Sequence, residues 1–286
     1  MKRFTLRHIG ITIIVLKFSL IIFLLATVLP KVSWSDISIS STFLLFSLIG
    51  FVAQIIDGTL GMAYGVSCTT LLLNIGISPK VASAAVHTAE VFTTGVSGLS
   101  HIKFNNIDKV LFFRLIFTGV IGAVTGAYLL SEIFDGNLVK PYIAAYLLIL
   151  GIVILIKGIR NKMKEHTEVK RPELLALIGG FLDAIGGGGW GPIVTSNIIN
   201  QGKSPKETIG TVNTAEFFIA FFGTGVFLFF VGVESWHVVL GLITGGVIAA
   251  PLGAYLTQKI NKRFLMIMVG IVIILTSSYT IYKVIM

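Results

Sequence analysis

A single cysteine, Cys68, is all the thiol this sequence holds. One cysteine excludes an internal disulfide framework and a cysteine-based zinc site, and it leaves the redox compartment open. Charge is scarce as well. Only 12% of the residues are Asp, Glu, Lys or Arg, against roughly a quarter in soluble domains. Acids are the rarer sign, 13 against 22 bases. No H-E-x-x-H, no P-loop and no convincing Ser/His or Cys/His arrangement is present. An enzyme is therefore not expected, no cofactor or resident metal is called for, and ATP-driven transport would need a separate partner.

What fills the sequence is apolar, 55% of its residues, with a mean hydropathy of +0.93. The charges cluster between runs of roughly 20 apolar residues, the length that crosses a bilayer as helix. The fold class expected is an all-α integral membrane protein, multi-pass in the cell membrane. The net charge of +9 does not point to nucleic acid, because the bases sit in short loops beside the spans, as the positive-inside rule requires. The first apolar run, 9–29, follows Lys2, Arg3 and Arg7. It is long for a signal peptide and no small-x-small cleavage site follows it, so it reads as an uncleaved span.

The sequence repeats itself at an offset of 126. Asp57, Gly61, Tyr64 and Gly65 recur as Asp183, Gly187, Trp190 and Gly191. Asn74, Gly76, Ser78, Pro79 and Lys80 recur as Asn200, Gly202, Ser204, Pro205 and Lys206. Thr88, Ala89 and Glu90 recur as Thr214, Ala215 and Glu216, while His87 faces Asn213. Further on, "GIVI" at 151–154 reappears at 270–273. The domains read as an N-terminal span and outer loop over 1–41, repeat 1 over 42–158, a cytoplasmic linker over 159–171 and repeat 2 over 172–286.

Each repeat opens on an apolar segment broken by glycine, "DGTLGMAYG" in one and "DAIGGGGWGP" in the other. Such backbone survives at membrane depth only where protein or a watery cavity satisfies it. The segment is either a kinked span or a re-entrant hairpin. Charge decides: if both are re-entrant, the loop Lys and Arg divide 17 inside to 4 outside, and if both cross, 10 to 11. Three spans and one hairpin make an odd number of crossings, so the second repeat is inverted. Inverted repeats with broken helices are a transporter plan. The expectation is seven full crossings with the N-terminus inside and the C-terminus outside.

These features together resemble the sulfite exporter TauE/SafE family of membrane permeases, over about residues 42–284. The resemblance rests on the two glycine-rich segments, the "GISP" turn, the "HTAE" and "NTAE" helices and "SGLSHIKFNNID". It implies transport of a small, often sulfur-containing anion such as sulfite or a sulfonate, without ATP. It does not name the solute or the direction.

Four acids stand apart from the loops: Asp57, Glu90, Asp183 and Glu216. A carboxyl at membrane depth is costly and marks a candidate site. Glu90 and Glu216 lie about ten residues into their helices, roughly 15 Å along at 1.5 Å per residue. Asp57 and Asp183 either face the solute or cap the bends. Glu90, Glu216 and His87 are candidates for proton coupling, since His titrates near neutral pH; a His bonded to its own backbone is the plainer alternative. Gly58, Gly61, Gly65, Gly187, Gly188 and Gly191 either present N–H groups to an anion or let helices pack closely. Tyr64 and Trp190 line the path or fill the core. Thr88 and Thr214 donate to the solute or to their own helices, and Asn213 completes the set opposite His87. The expected partners are the lipid bilayer and a small anionic solute. The alternative is a divalent metal carrier that uses the acids and His87.

Overall fold

In hydrocarbon a backbone must bond to itself, and long apolar runs do so as helix. The computed structural model describes residues 5–28, 40–60, 62–160, 169–232, 236–256 and 262–285, which are helical apart from short turns, with no strand among them. The helices are α1 (Leu6–Val28), α2 (Ser41–Leu60), α3 (Tyr64–Asn74), α4 (Pro79–Lys103), α5 (Lys109–Tyr128), α6 (Gly136–Arg160), α7 (Pro172–Gly186), α8 (Ser196–Asn200), α9 (Pro205–Phe230), α10 (Trp236–Leu256) and α11 (Lys262–Ile285). Two π-helical turns, Leu129–Ile133 and Gly191–Thr195, extend α5 and precede α8. Gly61, residues 29–39 and most of the 159–171 linker lie outside the described residues.

Six stretches among the described residues are long and apolar enough to cross a bilayer, in α1, α2, α5, α6, α9 and α11. A shorter apolar helix, Trp236–Ala250, lies in α10. The sequence also predicts a crossing for α4, which is as long as α6 at 25 residues. It is not among the six, because it carries His87, Thr88, Glu90, Thr93 and Thr94, all buried. Its polarity faces protein, so hydropathy alone understates it. α2, read from the sequence as one limb of a broken segment, is itself apolar enough to cross.

The packing pairs helices across the two repeats. α2 lies along α10, α5 along α7, α4 along α9 and α6 along α11. Glycine sets the distance: a methyl on Gly126 would stand 3.0 Å from Ala184 Cβ, and one on Gly50 2.7 Å from Leu242 Cα. Between lipid-bathed helices such close contact replaces hydrophobic burial as the source of cohesion. Along α6, Gly151 meets Ile273 and Ile274, Leu155 meets Gly270, and Gly158 meets Ile267. One helix is read forwards as the other is read backwards, so α6 and α11 run antiparallel. α4 and α9 do the same, with Gly95 on Phe217 and His87 on Gly223. The chain leaving α8 also returns to the chain entering α7, where Lys170 N–H donates to Gln201 Oε1 at 2.6 Å.

A polar clasp ties the loop before α5 to the one before α9. Asp108 caps α5, accepting from Val110 and Leu111 N–H at 2.9 and 3.1 Å. Its other oxygen takes Lys203 Nζ at 2.6 Å. Burial alone would raise the Asp108 pKa, but Lys203 and the two N–H groups outweigh it and hold the carboxyl below its ordinary value. A depressed carboxyl stabilises the fold fully above its unfolded pKa and loses that contribution as pH falls through the folded one. Asp108→Ala should therefore cost about 1 kcal/mol at neutral pH, the usual worth of a cap. Thermal unfolding in detergent should show the gap to wild type close on acidification.

Candidate functional site

The two glycine breaks are built alike. In the first, α2 ends at Leu60, Ala63 takes a left-handed conformation with φ 88°, and α3 begins at Tyr64. The Tyr64 N–H bonds to the Asp57 carboxyl seven residues back. In the second, α7 ends at Gly186 and Gly187 is left-handed with φ 63°, a conformation that glycine adopts without penalty. The Trp190 N–H donates to Asp183 Oδ1 at 2.9 Å, and the Gly187 and Gly188 N–H groups turn to Asp183 O. Both aspartates thus have the capping geometry, and three N–H groups of the second bend are engaged by Asp183 itself.

The bends meet each other. A methyl on Gly65 would stand 2.8 Å from Gly187 O and from Gly188 Cα, and 3.1 Å from Glu90 Oε1. One on Gly188 would stand 2.5 Å from Gly65 C, and one on Gly191 2.7 Å from Met62 Cα. Thr69 Oγ1 donates across to Gly187 O at 2.5 Å and Tyr146 OH to Gly188 O at 3.0 Å. Gly58 lies in α2 next to Asp57.

Around this contact stand α4 and α9. Asp57, Glu90, Asp183 and Glu216 are all buried, and Glu90 lies within electrostatic reach of the other three. His87 Nδ1 is 2.9 Å from Ser83 O. A carbonyl only accepts, so Nδ1 carries a proton. Nε2 then faces Asp183 Oδ2 at 3.3 Å, close but without a hydrogen bond among the described residues. The carboxyl partner of His87 is thus on α7 of the other repeat. Ligand atoms of His87, Glu90 and Asp183 lie within 4.8 Å of one another. Glu90 Oε2 and Tyr64 OH make no geometric hydrogen bond among the described residues.

The remaining predicted residues have plainer bonds. Thr88 Oγ1 and Thr214 Oγ1 donate to Ala84 O and Gly210 O, each four residues back. Trp190, wholly buried, donates Nε1–H to Val212 O at 3.2 Å. Asn213 Nδ2 donates to Ser97 Oγ at 3.3 Å, so the second repeat has no counterpart of the His87–Asp183 approach.

The model for the sulfite exporter TauE/SafE family matches residues 46–280. The chain belongs to the sulfite exporter TauE/SafE family. It is 46% identical over 247 residues to the probable membrane transporter protein YtnM of Bacillus subtilis (strain 168), an alignment covering 83% of this chain and 82% of the relative. It is 21% identical over 269 residues to the probable membrane transporter protein YunE of the same organism, covering 85% and 98%. No solved structure matches the chain. It is thus a membrane transporter of the TauE/SafE family.

Several residues of this TauE/SafE member escape a sequence reading. Ser83 donates to Ala184 O at 2.6 Å, and Thr69 and Tyr146 hold the second bend. Lys157, near the linker end of repeat 1, lies inside α6 and reaches Pro192 O and Ser196 Oγ. The one available signal was spacing: Tyr146 and Lys157 are eleven residues apart, three turns along one helix face.

Proposed function

We propose that this TauE/SafE protein is a secondary transporter of a small anion, a sulfur oxyanion or organosulfonate such as sulfite, working by alternating access. The observation that carries the reading is the meeting of two like-built bends, one from each repeat, between the two acid-bearing helices α4 and α9. The antiparallel course of α6 against α11, and of α4 against α9, supports an inverted relation of the repeats. The Lys170–Gln201 bond supports a re-entrant second segment. Binding draws on Gly58, Gly61, Gly65, Gly191, Tyr64 and Asn213, while Gly187, Gly188, Trp190, Thr88 and Thr214, whose donors are engaged within the protein, shape the site. Like charges in one dry site repel, so an anion binds here when carboxyl groups carry protons. Glu90 faces Asp57 from α2, Tyr64 and Cys68 from α3, His87 on its own helix, Asp183 from α7 and Glu216 from α9. A proton held among Glu90, Glu216 and His87 on one side and lost on the other couples the solute to the proton gradient.

The test is tracer flux in proteoliposomes at two pH values. Sulfite or sulfonate flux is expected, steeper with pH in wild type than in Glu90→Gln. An unchanged pH profile in that variant ends the proton role, and silence toward every sulfur anion ends the anion reading.

One observation favours a second reading. His87, Glu90 and Asp183 offer one nitrogen and two carboxyl ligands within 4.8 Å, a mixed set that suits a divalent cation. Metal-dependent flux lost on adding a chelator would establish that cation as the solute.

A further inference from the structure

No lysine or arginine forms a salt bridge with the central acids among the described residues, yet an anion must be drawn out of water to reach them. Two lysines lie inside spans: Lys17 of α1, whose Nζ donates to Phe92 O on α4 at 3.3 Å, and Lys157 of α6, the one of the two that touches a limb of a bend. Lys157 is half-buried in the last turns of α6. Its Nζ contacts Pro192 O at 3.4 Å and Ser196 Oγ, both on the limb that follows the second bend. No carboxylate among the described residues pairs with it. Tyr146, on the same face of α6, bonds the bend itself at Gly188 O. Lys157 stands eleven residues further on, about 16 Å toward the linker. This face of α6 therefore follows the second broken segment from the bend to its linker end.

The repeat provides an internal control. Pro192 and Ser196 correspond to Val66 and Thr70, and through the "GIVI" match Lys157 corresponds to Thr276. In the first repeat the same hydroxyl–carbonyl bond is made, Thr70 Oγ1 to Val66 O at 2.6 Å. There no ammonium joins it. Thr276 bonds its own helix at Val272 O, and a cavity of about 350 Å³ borders Ser67, Thr70 and Thr276. The local fold therefore stands without a cation, and the charge in the second repeat is an addition that costs desolvation.

We propose that Lys157 is the anion-accepting cation of the path on the linker side, an ammonium that an oxyanion meets between the second bend and water. Its partners are two neutral oxygens, which hold it in place without cancelling its charge. Ser196 adds a hydroxyl that can turn to the same anion. This inference rests on the anion reading above.

Lys157→Gln separates charge from structure, because an amide can still donate to Pro192 O and Ser196 Oγ. The measurement is sulfite flux into proteoliposomes as a function of concentration. The Gln variant is expected to raise KM about tenfold, the factor carried by one charge-assisted hydrogen bond, with kcat nearly unchanged, and Lys157→Arg to stay near wild type. Ser196→Asp, which sets a carboxylate against the ammonium, should raise KM similarly and keeps the test open if the Gln variant fails to reach the membrane. Wild-type KM in Lys157→Gln or in Ser196→Asp overturns the inference and leaves the anion reading standing. No sulfite, thiosulfate or sulfonate flux in wild type overturns both.

Discussion

Valine at Gly188 is expected to abolish transport, lowering flux in proteoliposomes by about a hundredfold, the scale on which a displacement of about 1 Å acts at a working site. The reason is contact between backbones. A Cβ at 188 would stand 2.7 Å from Val66 Cα and nearer still to the Gly65 carbonyl carbon. Neither neighbour is a side chain that can swing away. The two bends would have to part, carrying Thr69 off Gly187 O and Tyr146 off Gly188 O. Overpacking of this kind costs about 1–3 kcal/mol, which a protein of this size can bear while still inserting. Flux and thermal unfolding measured together distinguish the outcomes. Wild-type flux in Gly188→Val would mean that the bends do not close on each other in the working cycle.

The second large effect is expected at Asp183. Alanine there leaves the Trp190 N–H without its acceptor and removes the carboxyl facing His87 Nε2. Both groups are buried, and a loss of about 3 kcal/mol is the scale for stripping such partners. Asparagine should behave differently. Its amide oxygen can still accept from Trp190, so much of the stability returns. It places no ionisable carboxyl beside His87, so flux should depend less steeply on pH. The equivalent Asp57→Ala should cost less, since Asn213 turns to Ser97 instead and Asp57 has no histidine opposite. The check is unfolding temperature for each variant beside flux at two pH values. Equal losses at positions 57 and 183 would refute the asymmetry.

Much of this arrangement was legible in the sequence. The 126-residue offset located both bends and paired Asp57 with Asp183 before any coordinates, because duplication preserves order and spacing. Acid in an apolar run located Glu90 and Glu216, since nothing but a site or a bond offsets its cost there. What spacing could not give was contact between repeats. Helical periodicity put His87 beside Glu90, three residues away on one face, whereas the oxygen nearest its Nε2 belongs to Asp183, 96 residues on. Lys157 went unmarked for a related reason. A lysine at the end of an apolar run looks like the start of a loop, and only the length of α6 shows that it is still helix. α4 was legible through the repeat rather than through hydropathy, since its buried polar residues keep it out of the apolar spans.

The glycine contacts that knit α2 to α10 have a consequence for biosynthesis. α2 is made early, and the helix it lies along begins only at Trp236, well over a hundred residues later. At roughly 5–20 residues per second, α2 waits on the order of ten seconds or more in the bilayer before its partner emerges from the ribosome. During that wait the edge of α2 that carries Phe46, Ser47 and Gly50 lacks the partner whose Gly241 and Gly245 fit against it, so the first half of the chain completes its packing only when the second half arrives.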